Sequence, residues 1–409
     1  MENSSLGFEY EHHSGTPSAE EILMHIPCGE KHGHTDYFSP AFTGIVASVL
    51  ILIAIFAILG NIMVILVVLK NRSMRDTNRG TNFFLCNLAI ADLLVGVLNI
   101  PFSVHTLIKE CWDFPQWFCT VNSFSMSLFY GVSMHTLMYI SIHKFISIRR
   151  TYRNYFIPIP NKVCYVMIVL TWVWGFLLAL LTTVLLSSSV YKPKTMQCGP
   201  KYPKFEDISF ILHGVNQFVG IYTPLFIMIF AYVKIFIYIK SITVARKRLS
   251  GDGETTVDSG QKGVVKTLVI VLACFFLCWT PYVTYTNYAT FTKDKGTLPY
   301  FLNPVAYIFG FLNSACNPII YAWRFPDFRK GYWDIIKRTT YVVTIESSSK
   351  VTTPTESHPN GNHPLFSGED SVPLREFLSP GDAEDEDSEQ TRELHSPGES
   401  ETAIVTNNR

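Results

Sequence analysis

The stretch AFTGIVASVLILIAIFAILGNIMVILVVL, residues 41–69, contains no charged side chain, and Lys70 follows it directly. A helix needs about 20 apolar residues to cross the roughly 30 Å of hydrocarbon in a lipid bilayer. This stretch therefore predicts one helical membrane crossing, and the chain that contains it is expected to be a membrane protein.

Six later segments have the same character, with apolar runs and few charges. They lie at residues 81–107, 117–142, 162–186, 208–239, 264–288 and 298–323. The composition agrees, because 48% of the residues are hydrophobic and 16% are charged. The mean hydropathy of +0.21 is also outside the usual range of soluble domains. We predict an all-α membrane protein, a seven-transmembrane helix bundle over residues 41–323.

Lysine and arginine collect in alternate connections between the spans, and short loops rich in them stay in the cytoplasm. These connections follow the first, third, fifth and seventh spans and contain Lys70, Arg72, Arg75, Arg79, Arg149, Arg150, Arg153, Arg246, Lys247, Arg248, Arg329, Lys330, Lys337 and Arg338. One loop on the other side is also basic, with Lys192, Lys194, Lys201 and Lys204. Because four connections outweigh one, we expect a multi-pass plasma membrane protein with its N terminus extracellular and its C terminus cytoplasmic.

The two ends of the chain differ in composition from the bundle. Residues 1–40 are acidic and lack the basic start and apolar core of a cleaved signal peptide. We expect an extracellular segment there, with the first span as signal anchor. Asn3 begins an Asn-Ser-Ser triplet that fits the glycosylation pattern of a glycoprotein. Residues 339–409 are rich in Ser, Thr, Pro, Glu and Asp and predict a disordered cytoplasmic tail.

The nine cysteines divide between the spans and the predicted outer side. Those within spans are interpreted as small packing residues; they are Cys86, Cys164, Cys274, Cys278 and Cys316. Those on the outer side, an oxidising environment, are Cys28, Cys111, Cys119 and Cys198. Four such cysteines permit two disulfides in three connectivities.

Asp92 is the only acidic side chain within the predicted spans. A carboxylate at that depth is costly unless it faces the bundle interior and has partners, so Asp92 is a candidate functional residue. The neutral oxygens of other spans that suit a small cation beside it belong to Asn61, Ser133, Asn313 and Asn317. A purely structural hydrogen-bonding role is the alternative.

Four spans contain a proline, at Pro101, Pro224, Pro281 and Pro318. Each proline removes a helical hydrogen bond and permits a bend. A bundle of bent helices can have two packings of similar energy, which a switch requires.

Several motifs follow one another along these spans. They are Gly60-Asn61 with Val64; Leu88-Ala89-Ile90-Ala91-Asp92; Trp112 and Cys119; Trp172; Pro224 with Tyr232; Phe275-Phe276-Leu277-Cys278-Trp279-Thr280-Pro281; and Asn313 with Asn317-Pro318-Ile319-Ile320-Tyr321. In this order they resemble the rhodopsin-family (class A) G protein-coupled receptors over roughly residues 41–338. Phe325 to Lys337 resembles the short amphipathic eighth helix of that family, which we place at residues 324–338.

The resemblance implies roles for particular residues. Cys119 and Cys198 are expected to form a disulfide between the third span and the second outer loop, which leaves Cys28 and Cys111 as a candidate second pair. The implied allosteric sodium site consists of Asp92, Ser133, Asn313 and Asn317, and no other metal is expected. The implied activation switches are Phe275, Trp279, Pro281, Tyr232, Pro318 and Tyr321.

One motif departs from the family. Where the family has Asp-Arg-Tyr in the G protein-coupling region, this chain has His143-Lys144-Phe145. Lysine lacks the planar fork of arginine, and a neutral histidine cannot hold it as a carboxylate does. The sixth span likewise has Gln261-Lys262-Gly263 in place of an acid. We therefore expect a weakened inactive-state latch and raised basal activity; the alternative is a receptor impaired in G protein coupling, acting as a decoy or through arrestin.

The implied ligand pocket lacks the charged residues of two subfamilies. Met126 stands where aminergic receptors have an aspartate, which disfavours a monoamine held by that ion pair. Phe311 stands where opsins have the retinal-binding lysine, so no retinal and no cofactor beyond sodium is expected. A small uncharged ligand or a peptide suits a pocket lined by Met126, Tyr130, His213, Asn216, Tyr282, Thr286, Asn303 and Tyr307.

The implied function is that of a receptor. It binds an extracellular small molecule or peptide in the bundle and signals to a heterotrimeric G protein by outward movement of the sixth helix. The expected further partners are receptor kinases and arrestin at the tail and membrane lipid around the spans, with no nucleic acid. A transporter is disfavoured because the spans contain too few charges. The residues show no spacing typical of an enzyme.

Overall fold

A computed structural model describes residues 39–70, 79–152, 159–185, 189–192, 197–201, 208–250, 256–292 and 301–351. The helices and strands are α1 (Pro40–Lys70), α2 (Arg79–Leu98, continuing as Ile100–Lys109), α3 (Gln116–Tyr152), α4 (Asn161–Leu180 with the π-helical turn Leu181–Leu185), β1 (Ser189–Lys192), β2 (Gln197–Pro200), α5 (Ile208–Gln217, the π-helical turn Phe218–Tyr222, then Thr223–Ser250), α6 (Thr256–Phe291), α7 (Leu302–Arg324) and α8 (Pro326–Val351). The predicted extracellular segment, including Asn3 and Cys28, and the tail beyond 351 lie outside the described residues.

Each predicted span falls within one of the helices α1 to α7, except for short ends in the gaps. Among the described residues, six of these helices are long and apolar enough to cross a membrane. The exception is α3, which contains the predicted third span, residues 117–142. It packs against α2, α4 and α5, and its buried polar side chains include Asn122, Ser133 and Thr136. Because α3 is enclosed by protein, its sequence can be less hydrophobic than that of a lipid-facing helix.

The outer surfaces of the other helices remain apolar. Large hydrophobic side chains such as Ile45, Phe226 and Leu277 are 67%, 70% and 69% exposed. A soluble protein rarely exposes so many apolar side chains together. These surfaces are therefore the ones that contact lipid.

The prolines interrupt the helices to different degrees. The helix of α2 breaks at Asn99, two residues before Pro101, whereas α6 and α7 continue through Pro281 and Pro318. In α5 a π-helical turn ends just before Pro224. Proline cannot donate a backbone hydrogen bond, so each site leaves a carbonyl free for another partner.

The helix α8 is longer than predicted. It begins at Pro326 and extends to Val351, thirteen residues beyond the predicted end at 338. The sequence between Gly331 and Pro354 contains no glycine or proline that would end a helix. Phe328 is buried, and its ring lies 5.5 Å from that of Tyr321. One face of α8 thus packs on the end of α7, as expected of an amphipathic helix.

The strands β1 and β2 pair antiparallel, with Tyr191 opposite Cys198. The disulfide between Cys119 and Cys198 ties this hairpin to the start of α3, which confirms that predicted pair. Cys111 is also disulfide-bonded, but its predicted partner Cys28 lies outside the described residues.

A close contact between α1 and α7 generates a stability prediction. A Cβ atom at Gly60 would lie 2.8 Å from two ring carbons of Pro318, whereas a Cβ at Gly44 has nothing within 4 Å. We expect Gly60→Ala to destabilise the receptor by about 1–3 kcal/mol, because the rigid ring has to shift. Thermal unfolding of the purified protein in detergent measures the effect, with Gly44→Ala as the control. Equal melting temperatures for the two variants would contradict this packing.

Candidate functional site

Asp92 occupies the centre of a polar cluster inside the bundle. Its side chain is fully buried, at 0% exposed. The Ser133 hydroxyl on α3 donates to its Oδ1 over 3.1 Å, and the Ser314 hydroxyl on α7 donates to the same oxygen over 3.0 Å. The Asn317 amide donates to its Oδ2 over 2.7 Å. One carboxylate thereby connects α2, α3 and α7.

Asn61 and Asn313, which were predicted to lie beside Asp92, make other contacts. Asn61 on α1 donates to the backbone carbonyl of Ser314 over 3.0 Å, so α1 joins the cluster through α7 rather than through Asp92. Its own Oδ1 is buried without a hydrogen-bond partner among the described residues. Asn313 is buried, but it is its neighbour Ser314 that contacts Asp92. Ser314 was not among the predicted site residues, and its contact with Asp92 in place of Asn313 arises because adjacent residues of a helix point in different directions.

A second polar cluster was not predicted. The indole nitrogen of Trp172 on α4 donates to Oδ1 of Asn87 over 2.8 Å, and the Asn87 amide donates to the hydroxyl of Thr136 over 2.8 Å. This cluster joins α2, α3 and α4. The sequence feature that could have indicated this cluster is Asn87, a polar residue in an apolar span five residues before Asp92.

Aromatic rings form a closed cycle above Asp92. Tyr130 contacts Trp279 with ring centroids 5.2 Å apart; Trp279 contacts Tyr282 at 5.7 Å; and Tyr282 contacts Tyr307 at 5.6 Å. Phe311 closes the cycle, at 6.4 Å from Tyr307 and 6.2 Å from Tyr130. The structure therefore brings together three predicted pocket residues with the predicted switch Trp279. Edge-to-face contacts of this kind favour defined ring orientations.

The cycle contains two buried hydrogen-bond donors. The Tyr130 hydroxyl and the Trp279 indole nitrogen make no hydrogen bond to any described residue. Below the cycle, the Phe275 ring lies 5.9 Å from the Trp279 ring, as expected of its packing partner. An unpaired donor in an apolar site costs free energy, so both groups are suited to a bound acceptor.

The remaining predicted pocket residues are distributed around this cycle. Met126 is buried on α3. The Gln217 amide donates to a ring nitrogen of His213 on α5 over 3.1 Å. Thr286 on α6 donates to the carbonyl of Val283. Asn216 has a buried Oδ1 without a partner in the described part of the chain. The side chain of Asn303 is not described.

A cleft of about 290 Å³, including its open mouth, lies beside the cycle. It is formed by α1, α2, α7 and β2, and its lining is Val46, Leu50, Ser103, Leu107, Gln197, Pro304, Tyr307, Ile308 and Phe311. Only Tyr307 of this lining was predicted to face a ligand. Hydropathy could not indicate this space, because it depends on how three helices and the hairpin meet.

At the end of α3 that is predicted to be cytoplasmic, the His143 side chain points toward α2. Its ring lies 5.7 Å from the Phe84 ring, and a Cβ atom at Gly80 would be 2.7 Å from its Nε2. Lys144 is half-buried and Phe145 is partly exposed. The side chains of the α6 residues 261–263 are not described. The predicted lack of an ion pair between α3 and α6 therefore stays a prediction.

The two tyrosine switches have separate partners. Tyr232 on α5 is partly buried and packs against the hydrophobic core of the bundle. Tyr321 is buried against α8 instead, with its ring 6.0 Å from that of Phe325.

Near the hairpin, a ring nitrogen of His105 lies 2.7 Å from a carboxylate oxygen of Asp113. This hydrogen bond lowers the pKa of the Asp113 carboxyl below its usual range. The pair lies on the surface, where such contacts add little stability.

Helices with lipid-facing apolar surfaces, a buried carboxylate at their centre and an aromatic pocket toward one end define a seven-helix membrane receptor. Residues 60–321 match the family described as "7 transmembrane receptor (rhodopsin family)". The chain belongs to this family, the class A G protein-coupled receptors.

Curated relatives and a solved structure agree with that assignment. The chain is 28% identical over 319 residues to the trace amine-associated receptor 1 of Mus musculus, covering 76% of this chain and 93% of that one. It is 31% identical over 301 residues to the histamine H2 receptor of Canis lupus familiaris, covering 73% and 81%. Squid rhodopsin has the same fold, with a TM-score of 0.63, 21% identity and coverage of 80% and 96%. The prediction of a receptor rather than an enzyme is thereby confirmed.

Proposed function

We propose that this receptor binds an extracellular ligand within the bundle and activates a heterotrimeric G protein by outward movement of α6. The observation that supports this proposal is the aromatic cycle, because it joins α3, α6 and α7 through Tyr130, Trp279 and Tyr307. A ligand that displaces these rings acts on Phe275 below. It thereby biases the packing of α6, which Pro281 makes easier to bend.

The proposed location is the plasma membrane, with the hairpin outside. A disulfide such as Cys119–Cys198 forms in oxidising compartments. At the opposite ends of the helices stand basic residues that include Lys70, Arg149 and Arg324. That distribution supports a cytoplasmic location for the α8 side. Receptor kinases and arrestin at the tail, and lipid around the bundle, complete the proposed partners.

The proposed ligand is uncharged and offers a hydrogen-bond acceptor. Met126 places a buried thioether, not a carboxylate, on α3. Nearby, the Tyr130 hydroxyl and the Trp279 indole lack acceptors among the described residues. A neutral small molecule or a peptide carbonyl satisfies these donors.

We further propose an allosteric sodium ion at Asp92. The carboxylate and the hydroxyls of Ser133 and Ser314 present oxygen atoms within one buried cluster, and the unpaired Oδ1 of Asn61 lies on the neighbouring helix. Oxygen ligands of this kind suit a small hard cation.

The ligand proposal predicts the response to amines. We expect wild-type receptor to show no saturable binding of histamine, because no carboxylate pairs with its ammonium group. Met126→Asp should bind histamine saturably and about tenfold or more tighter than Met126→Asn, since a charge-assisted hydrogen bond contributes about 1.5–3 kcal/mol. Thermal stabilisation of purified receptor measures binding, and Met126→Asn is the uncharged control. Saturable binding by the wild type would contradict a neutral-ligand pocket.

The sodium proposal predicts ion-dependent stability. Replacing choline chloride with sodium chloride at constant ionic strength should stabilise the wild type by about 1–3 kcal/mol at saturation. The effect should be weaker in Ser314→Ala and absent in Asp92→Asn. Ser48→Ala should keep the full response, because Ser48 is exposed on α1 and its hydroxyl donates to the carbonyl of Gly44. A full sodium response in Asp92→Asn would refute the site.

The altered triplet predicts ligand-independent signalling. We expect basal cAMP, calcium or G protein dissociation above that of untransfected cells. The double variant His143→Asp with Lys144→Arg should lower it about fivefold, because an ion pair of about 1 kcal/mol is restored. Arg149→Lys, an exposed substitution on the same helix, is the control.

If the wild type showed no ligand-independent signalling at confirmed surface expression, that result would argue against the weakened latch. If signalling then appeared only in the double variant, His143 and Lys144 would have impaired coupling. That result favours the alternative of a decoy or an arrestin-biased receptor, which the inward packing of His143 against α2 also supports.

A further inference from the structure

Three thiols meet between α6 and α7. The Sγ atoms of Cys274, Cys278 and Cys316 all lie within 4.8 Å of one another. None of the three is in a disulfide. Cys274 and Cys278 are four residues apart on α6 and therefore share one face of that helix, while α7 supplies Cys316. From sequence these residues were interpreted as packing groups, because the approach of Cys316 to the other two depends on how the helices pack.

The cluster lies between the two parts of the site already described. Cys274 precedes Phe275, the partner of Trp279, and Cys316 precedes Asn317, a donor to Asp92. The proposed signalling mechanism uses none of the three sulfurs.

We propose that Cys274, Cys278 and Cys316 form a binding site for one thiophilic d10 cation, represented by Zn²⁺. Thiolates bound to one Zn²⁺ at about 2.3 Å stand roughly 3.8 Å apart in tetrahedral geometry. The sulfurs therefore need to approach by about 1 Å at most, which rotation of short side chains supplies. Soft sulfur ligands select this class of cation over Na⁺, Mg²⁺ or Ca²⁺.

The protonation requirement is also met, because thiols bind such a cation as thiolates and release their protons. Two thiolates neutralise Zn²⁺, which lowers the cost of a charged ion inside the bundle, and the third sulfur adds a further ligand. Cys278 is buried, whereas Cys274 and Cys316 are partly buried.

The ion would link α6 to α7 next to Phe275, because its ligands come from both helices. Outward movement of α6 requires these two helices to separate, so the bound ion opposes it. We therefore expect Zn²⁺ to inhibit signalling from the inside of the bundle, without occupying the aromatic pocket.

The test measures binding on purified full-length receptor in detergent, without thiol reductants. Competition with a chromophoric chelator gives the Zn²⁺ affinity, and Cd²⁺ reports sulfur ligation through its thiolate charge-transfer absorption. Replacing Cys274 or Cys316 by serine should weaken binding about tenfold or more and reduce the absorption. The matched controls are Cys86→Ser and Cys164→Ser, which remove free thiols from α2 and α4.

Equal Zn²⁺ affinity in Cys316→Ser and Cys86→Ser, at unchanged thermal stability, would overturn the site. So would the lack of a thiolate band in the wild type, which would mean that the sulfurs only pack. The binding measurement is independent of signalling. The inhibition experiment rests on the proposed function, so loss of inhibition with retained binding would count against the proposed α6 movement and not against the metal site.

Discussion

A carboxylate in the middle of a hydrocarbon layer has to obtain its hydrogen bonds from protein, because no bulk water reaches it. Asp92 meets this requirement with donors from Ser133, Ser314 and Asn317. These residues belong to three helices that are far apart in sequence. This single group links α2, α3 and α7 in the centre of the bundle. Asn61 extends the arrangement to α1.

The same constraint explains the character of α3. Its polar side chains would be unfavourable in lipid, yet they are buried between neighbouring helices, where Thr136 receives a hydrogen bond from Asn87. The outward faces of α1, α5 and α6 are apolar instead. Above Asp92, the buried donors of Tyr130 and Trp279 have no hydrogen-bond partner in the part of the chain that the structure describes. These two donors are the groups to which the proposed ligand would supply an acceptor.

Much of the fold was predictable from local sequence. The spans follow from apolar length, and the pairing of Cys119 with Cys198 followed from family resemblance and is confirmed. Of the predicted Asp92 partners, Ser133 and Asn317 donate to it, whereas Ser314 was missed. The end of α8 at Val351 was also missed, because composition indicated a tail before any helix-breaking residue appeared.

The number of crossings, the class of receptor and the lack of an acid at position 126 could all be read from the amino-acid sequence. These features depend on residue type and order, which need no knowledge of neighbours. The tertiary structure alone decided that Cys316 approaches Cys274 and Cys278, that five aromatic rings close into a cycle, and that a cleft opens between α1, α2 and α7. Contacts between helices depend on their rotation and spacing, and these are set jointly by all the packed side chains and not by any one span.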